Sequence, residues 1–179
     1  MKTIFAAVLP STKRRAVWLG LNLITVFMAA WVIGLFEAVL EEIVVLAILL
    51  PIVASMGGIA GSQTLTLTIR GLALGQVSNS NLRWLGNKEL QVGLLNGFAW
   101  AIVVGIVTFI WFQNTGIALI IAIAMMLNLV AAAFSGVLIP VILDRMGIDP
   151  ALSGAVVLTT VTDIVGFLSF LGLATLFLL

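Results

Sequence analysis

Between Glu89 and Asp144 the chain carries no charged residue at all. That run is too long for one membrane-crossing helix, which needs about 20 apolar residues. In hydrocarbon every backbone N–H and C=O must be satisfied internally, which helices do within one segment. Elsewhere charge is nearly as scarce: 8% of residues against roughly a quarter in a soluble domain. The chain therefore reads as an all-α integral membrane protein whose immediate partner is the lipid bilayer.

Turn signals divide the apolar sequence. Gln113-Asn114-Thr115-Gly116 splits the long run into spans of about Leu90–Phe112 and Ile117–Leu143. Upstream, one span runs from about Ala16 to Phe36 and a second from about Glu42 to Leu72, followed by a polar stretch from Gly75 to Lys88. Downstream, Asp144 to Pro150 makes a short loop, and the fifth span fills 151–179. Residues 1–15 read as a short amphipathic lead-in on the cytoplasmic surface. Lys13-Arg14-Arg15 follow its brief apolar run without the small-residue cleavage pattern of a signal peptide. Residues 16–179 form one five-helix transmembrane domain.

Basic residues orient the spans. With the N-terminus inside, Lys2, Lys13, Arg14, Arg15, Arg70, Arg83, Lys88 and Arg145 all fall on the cytoplasmic side, so N-in and C-out is expected. An odd number of spans does not divide into two equal inverted repeats. A pore built from so few helices is better placed between two copies, which predicts a twofold homodimer with the pore at the interface.

With no Cys and no His, thiolate and imidazole metal sites, disulfides and triads that use either residue are excluded. A bound metal must use oxygen ligands, which suits hard cations such as Mg²⁺, Ca²⁺ or Mn²⁺. A net charge of +1 gives no footing for nucleic acid, and no activated nucleophile can be assembled, so no enzyme is expected.

One charge stands out. Asp163 is the only charged residue from Pro150 to Leu179, and on a helix it lies roughly 18 Å in from Ala151, near the bilayer midplane. A carboxylate there costs at least a few kcal/mol unless it faces water, protein or a cation. No Lys or Arg sits at comparable depth in any span. Thr159, Thr160 and Gly166 share its face, a small polar stripe suited to water and ions. Mg²⁺ keeps its waters and is held through one or two carboxylates, so two Asp163 side chains across a dimer axis would suit a hydrated divalent ion.

Other features carry two readings each. Pro51, Gly57, Gly58 and Gly61 in the second span either break the helix and free carbonyls toward a cation, or let helices approach closely. The polar half after them, with Gln63, Thr64, Thr66 and Thr68, lines a wet vestibule or lies at the interface. Asn128 reads as interhelical glue, and Pro140 as a kink. Glu37, Glu41 and Glu42 form a solvated acidic turn or gather cations at the outer mouth.

Several stretches together resemble the transmembrane domain of the MgtE family of magnesium channels. They are Asn22-Leu23-Ile24-Thr25, Val32 to Glu37, Pro51 to Gly58 through Gly61-Ser62-Gln63, Arg70 to Gly75, Asp149-Pro150-Ala151, and Thr159 to Phe167. The resemblance implies a homodimeric Mg²⁺ channel of a bacterial inner membrane, its interfacial pore lined mainly by spans two and five. It further implies that Asp163 coordinates the ion, with backbone near Gly57 and Gly58; Thr159, on the Asp163 face of its helix, is a further candidate ligand. Ile59 departs from the family's usual Asn. Typical members also carry a cytoplasmic domain and paired CBS domains ahead of the membrane part, so gating through those is not carried over to a chain with only Met1–Arg15 before its first span. The alternative to a channel is a proton- or ion-coupled secondary transporter of divalent cations; a third reading, a structural membrane subunit, makes Asp163 only glue.

Overall fold

The computed structural model describes residues 8–78 and 80–179, with Arg14 described by its backbone. Over these the chain is helical throughout: α1 Val8–Gly34, α2 Glu37–Glu42, α3 Val45–Ala73, α4 Leu82–Phe112, α5 Thr115–Arg145 and α6 Pro150–Leu178. Among the described residues five helices, all except α2, are long and apolar enough to cross a membrane, as the five spans required.

Local chemistry sets the ends. Gly75 and Gly147 adopt the left-handed conformation just past α3 and α5, with φ of 67° and 71°. The next N–H in each case, of Gln76 or Ile148, donates back to the carbonyl of Gly71 or Leu143, the closing bond of a Schellman motif. Asn114 Oδ1 accepts from Ile117 N to start α5, and Asp149 Oδ1 accepts from Ala151 N to start α6, where Pro150 fits the first turn.

Four details differ from the sequence reading. First, α1 passes through Lys13-Arg14-Arg15 without a boundary. Residues 1–7 of the expected lead-in lie outside the described residues. Second, α4 starts at Leu82, not near Leu90, so Arg83, Lys88 and Glu89 are helical and the connecting loop is shorter. Third, Glu37, Glu41 and Glu42 sit on the short helix α2, all exposed. Fourth, α3 is unbroken through Pro51 and its glycines. Of the two readings for Gly57 and Gly61, close packing is the one realised.

The bundle is arranged around α5, which packs against α3, α4 and α6. α5 is apolar on every side because the face it does not bury, with Leu119, Ile123 and Phe134, is exposed where the bilayer would be and has no need to meet water. At one end Val39, Leu46 and Leu49 meet Ile117, Ile120 and Ile121 of α5 and Phe170, Leu171 and Ala174 of α6. At the other end Leu65 of α3 meets Ile139 and Leu143 of α5 and Leu158 of α6. These layers make α3 and α5 parallel, with α6 antiparallel to both. By contrast α1 leans on α6 through Ala29, Val32 and Phe167, and leaves most of its length facing outward.

Lipid is as apolar as leucine, so helices in a membrane are held by packing and interhelical hydrogen bonds. Gly136 shows how tight that packing is. A Cβ there would stand 2.7 Å from Thr64 Cβ and 2.9 Å from the backbone oxygen of Gly61. The obstruction is backbone and cannot swing away. Gly136→Ala is therefore expected to destabilise the fold by about 1–3 kcal/mol. A thermal melt of the detergent-solubilised protein that stays at the wild-type temperature would contradict this contact.

Candidate functional site

The buried and exposed faces of α3 are set by helical spacing. Leu46, Leu49, Val53, Gly57, Gly61, Thr64 and Thr68 turn inward. On the other side Ser55, Gly58, Ile59, Ser62, Gln63 and Thr66 recur one turn apart and face a groove of about 870 Å³ between α3 and α6. Thr159 and Asp163 of α6 form its other wall. Gly58 and Asp163 each lie at the middle of their helix.

The groove therefore brings together three of the four residues singled out from sequence: Gly58, Thr159 and Asp163. It does not include Gly57, whose open side faces Asn128 of α5. Ser62, Gln63 and Thr66, from the polar half of the second span, prove to line the groove, whereas Thr64 and Thr68 are buried behind it. Ile59 is exposed on the groove wall.

The hydroxyls there share one polarity. Ser62 Oγ donates to the carbonyl of Gly58 at 2.7 Å, and Thr66 Oγ1 to that of Ser62 at 2.8 Å. Thr159 Oγ1 donates to Ala155 O at 3.0 Å and to Val156 O at 3.1 Å. With their single protons committed to the helix, these oxygens offer the groove only lone pairs. These three oxygens, beside the Gln63 amide that can both donate and accept, suit a cation or the outward-pointing hydrogens of its water shell.

Asp163 is half-buried and has neither a hydrogen bond nor an ion pair among the described residues. Nor do the described residues hold any group of three or more carboxylates that would cage a metal within one chain. A second carboxylate is handled in the opposite way. Glu89 of α4 is 4% exposed, accepts from Thr64 Oγ1 at 3.2 Å and is paired with Lys88 Nζ at 3.0 Å. Sequence reasoning treated Glu89 as a span boundary and missed its burial. The only signal in the chain was the adjacent Lys88, a basic neighbour able to pair with it.

Five helices fit to cross a membrane, and an open groove between two of them that holds a carboxylate with no partner among the described residues, define a multi-pass membrane protein with a polar intramembrane groove. Comparison with known proteins sharpens this. The family model MgtE, described as "Divalent cation transporter", matches residues 50–173, and the chain belongs to that family. The magnesium transporter MgtE of Bacillus subtilis is 32% identical over 165 residues, covering 92% of this chain and 37% of that protein. The magnesium transporter MgtE of Enterococcus faecalis is 29% identical over 170 residues, or 95% and 38%. That of Thermus thermophilus is 32% identical over 165 residues, or 92% and 36%. The chain thus spans little more than a third of the length of these curated relatives.

An unpaired, half-buried carboxylate is a stability cost kept for some other reason. Asp163→Asn is expected to melt at the wild-type temperature or above it, because no partner is lost. Thr64→Val, in contrast, removes one of the two bonds to a buried carboxylate and is expected to cost about 1–3 kcal/mol. A marked drop in melting temperature for Asp163→Asn would reveal a structural partner and remove the argument for an ion-facing group.

Proposed function

We propose that the chain forms the pore of a Mg²⁺ channel in a bacterial plasma membrane, as a homodimer oriented N-in and C-out, with Asp163 coordinating the permeating ion through its waters. The single observation that carries this reading is the Asp163 carboxylate, without a partner among the described residues, in a groove that also presents the hydroxyl oxygens of Ser62, Thr66 and Thr159 and is open along one side. Two copies facing across a twofold axis turn two open grooves into one enclosed path and bring two carboxylates to it. Two negative charges balance a divalent cation in surroundings where the bilayer cannot. Hydroxyl lone pairs from Ser62, Thr66 and Thr159 receive the hydrogens of its hydration shell, which Mg²⁺ sheds reluctantly. The magnesium transporters named above supply the choice of Mg²⁺ among hard cations.

Reconstitution in liposomes tests this. Asp163→Asn is expected to lower Mg²⁺ uptake about tenfold or more, since a hydrogen bond to a charged group contributes about 1.5–3 kcal/mol. Unchanged uptake by a correctly folded Asp163→Asn protein would refute the site. Uptake that requires stoichiometric proton counterflow would replace the channel with a coupled transporter. The absence of native cysteine makes the dimer testable as well. Ser62→Cys should cross-link to a second copy through a short bifunctional reagent, whereas a cysteine at Phe98 on the far side of the bundle should not.

A further inference from the structure

Behind the groove, on the side away from the ion path, lies a buried contact that the reading above does not use. Asn128 is 0% exposed at the middle of α5, between α3 and α6. Its Nδ2 donates to the backbone carbonyl of Val53 on α3 at 2.9 Å. Gly57 of α3 and Gly166 of α6 both turn their Cα–H groups onto its amide. A Cβ on Gly166 would stand 2.7 Å from Nδ2, and one on Gly57 would overlap the amide outright. Its Oδ1 is buried with no hydrogen-bond partner.

Gluing alone does not explain this arrangement. A smaller apolar side chain would pack here without stranding an acceptor, and a buried unpaired acceptor is a cost. What an asparagine adds is a thin, rigid, planar wedge with one hydrogen bond that fixes its register on α3. Gly57 directly precedes Gly58 of the groove wall, and Gly166 lies one turn beyond Asp163. The two backbones held apart by the wedge are thus those that carry the two sides of the groove at its midpoint.

We propose that Asn128 is a positioning residue that sets the separation of α3 from α6, and through it the opening between Gly58 and Asp163 that selects among hydrated cations by size. This rests on the reading of Asp163 as the ion site. Asn128 touches no ion. It acts through Gly57 and Gly166.

The test compares wild type, Asn128→Ala, Gly57→Ala, the double variant and Asp163→Asn in liposomes, with Mg²⁺ and Ca²⁺ uptake measured separately. Asn128→Ala and Gly57→Ala are each expected to shift the Mg²⁺:Ca²⁺ uptake ratio. In the double variant the new Cβ occupies the space the amide vacated, so the ratio returns toward wild type, with a coupling of roughly tenfold. A merely structural asparagine would lower folded yield and scale both cations equally, leaving the ratio unmoved; that result overturns the proposal, as does strict additivity in the double variant. Should Gly57→Ala fail to accumulate, the ratio in Asn128→Ala decides the matter alone. If Asp163→Asn transports normally, the ion-site reading falls and this one with it. If Asp163→Asn is inactive while the Asn128→Ala ratio stays at wild type, the positioning role alone falls.

Discussion

Close approach of backbones around α5 is the constraint on which this bundle depends. Inside a bilayer, apolar side chains gain little by meeting each other instead of lipid, so helices stay together only where they interdigitate closely or share hydrogen bonds. Gly136 meets Thr64 and the backbone of Gly61, Gly93 of α4 meets Ala133 of α5, and Gly61 meets Leu158 of α6. Gly166 of α6 meets Asn128 of α5 as well, so α5 is locked to three neighbours, and α3 and α6 have their inner faces committed and their outer faces free. The groove is what remains between those outer faces.

That division explains why α3 looks helix-disturbing yet is not. Pro51 and the glycines were compatible with a broken segment lining a cavity, and with close packing in a continuous helix. Packing decides it: the spacing of Val53, Gly57, Gly61 and Thr64 places them along one buried stripe, where small residues admit α5 and α6. The same spacing puts Gly58, Ser62 and Thr66 on the opposite stripe. One helix thus supplies both the grip on the bundle and a wall of the groove.

The two carboxylates at membrane depth make a useful contrast. Glu89 has Lys88 and Thr64 to compensate its burial, so its charge is accounted for within the protomer. Asp163 has no such partner and opens onto the groove. Uncompensated charge at the centre of a hydrophobic helix points outward to a ligand, whereas compensated charge points inward to the fold. This difference is the reason the proposal places the ion at Asp163, although Glu89 is the more deeply buried.

By itself the sequence determined the helical membrane class, the number of spans, the turn between the third and fourth of them and the singular position of Asp163. Each of these follows from local quantities: run length against bilayer thickness, turn chemistry, and the cost of one charge among apolar neighbours. Only the tertiary structure decided which face each helix buries. Period and composition are nearly uniform around helices that are apolar on all sides, so sequence could not separate Gly57, turned to Asn128, from Gly58, turned to the groove. Nor could it foresee that Glu89 reaches Thr64 across two helices, because that meeting depends on how α3, α4 and α5 stack. Asp163 was legible because its neighbours along the chain made it anomalous; the acceptor oxygens facing it were not, because they come together only when α3 and α6 lie side by side.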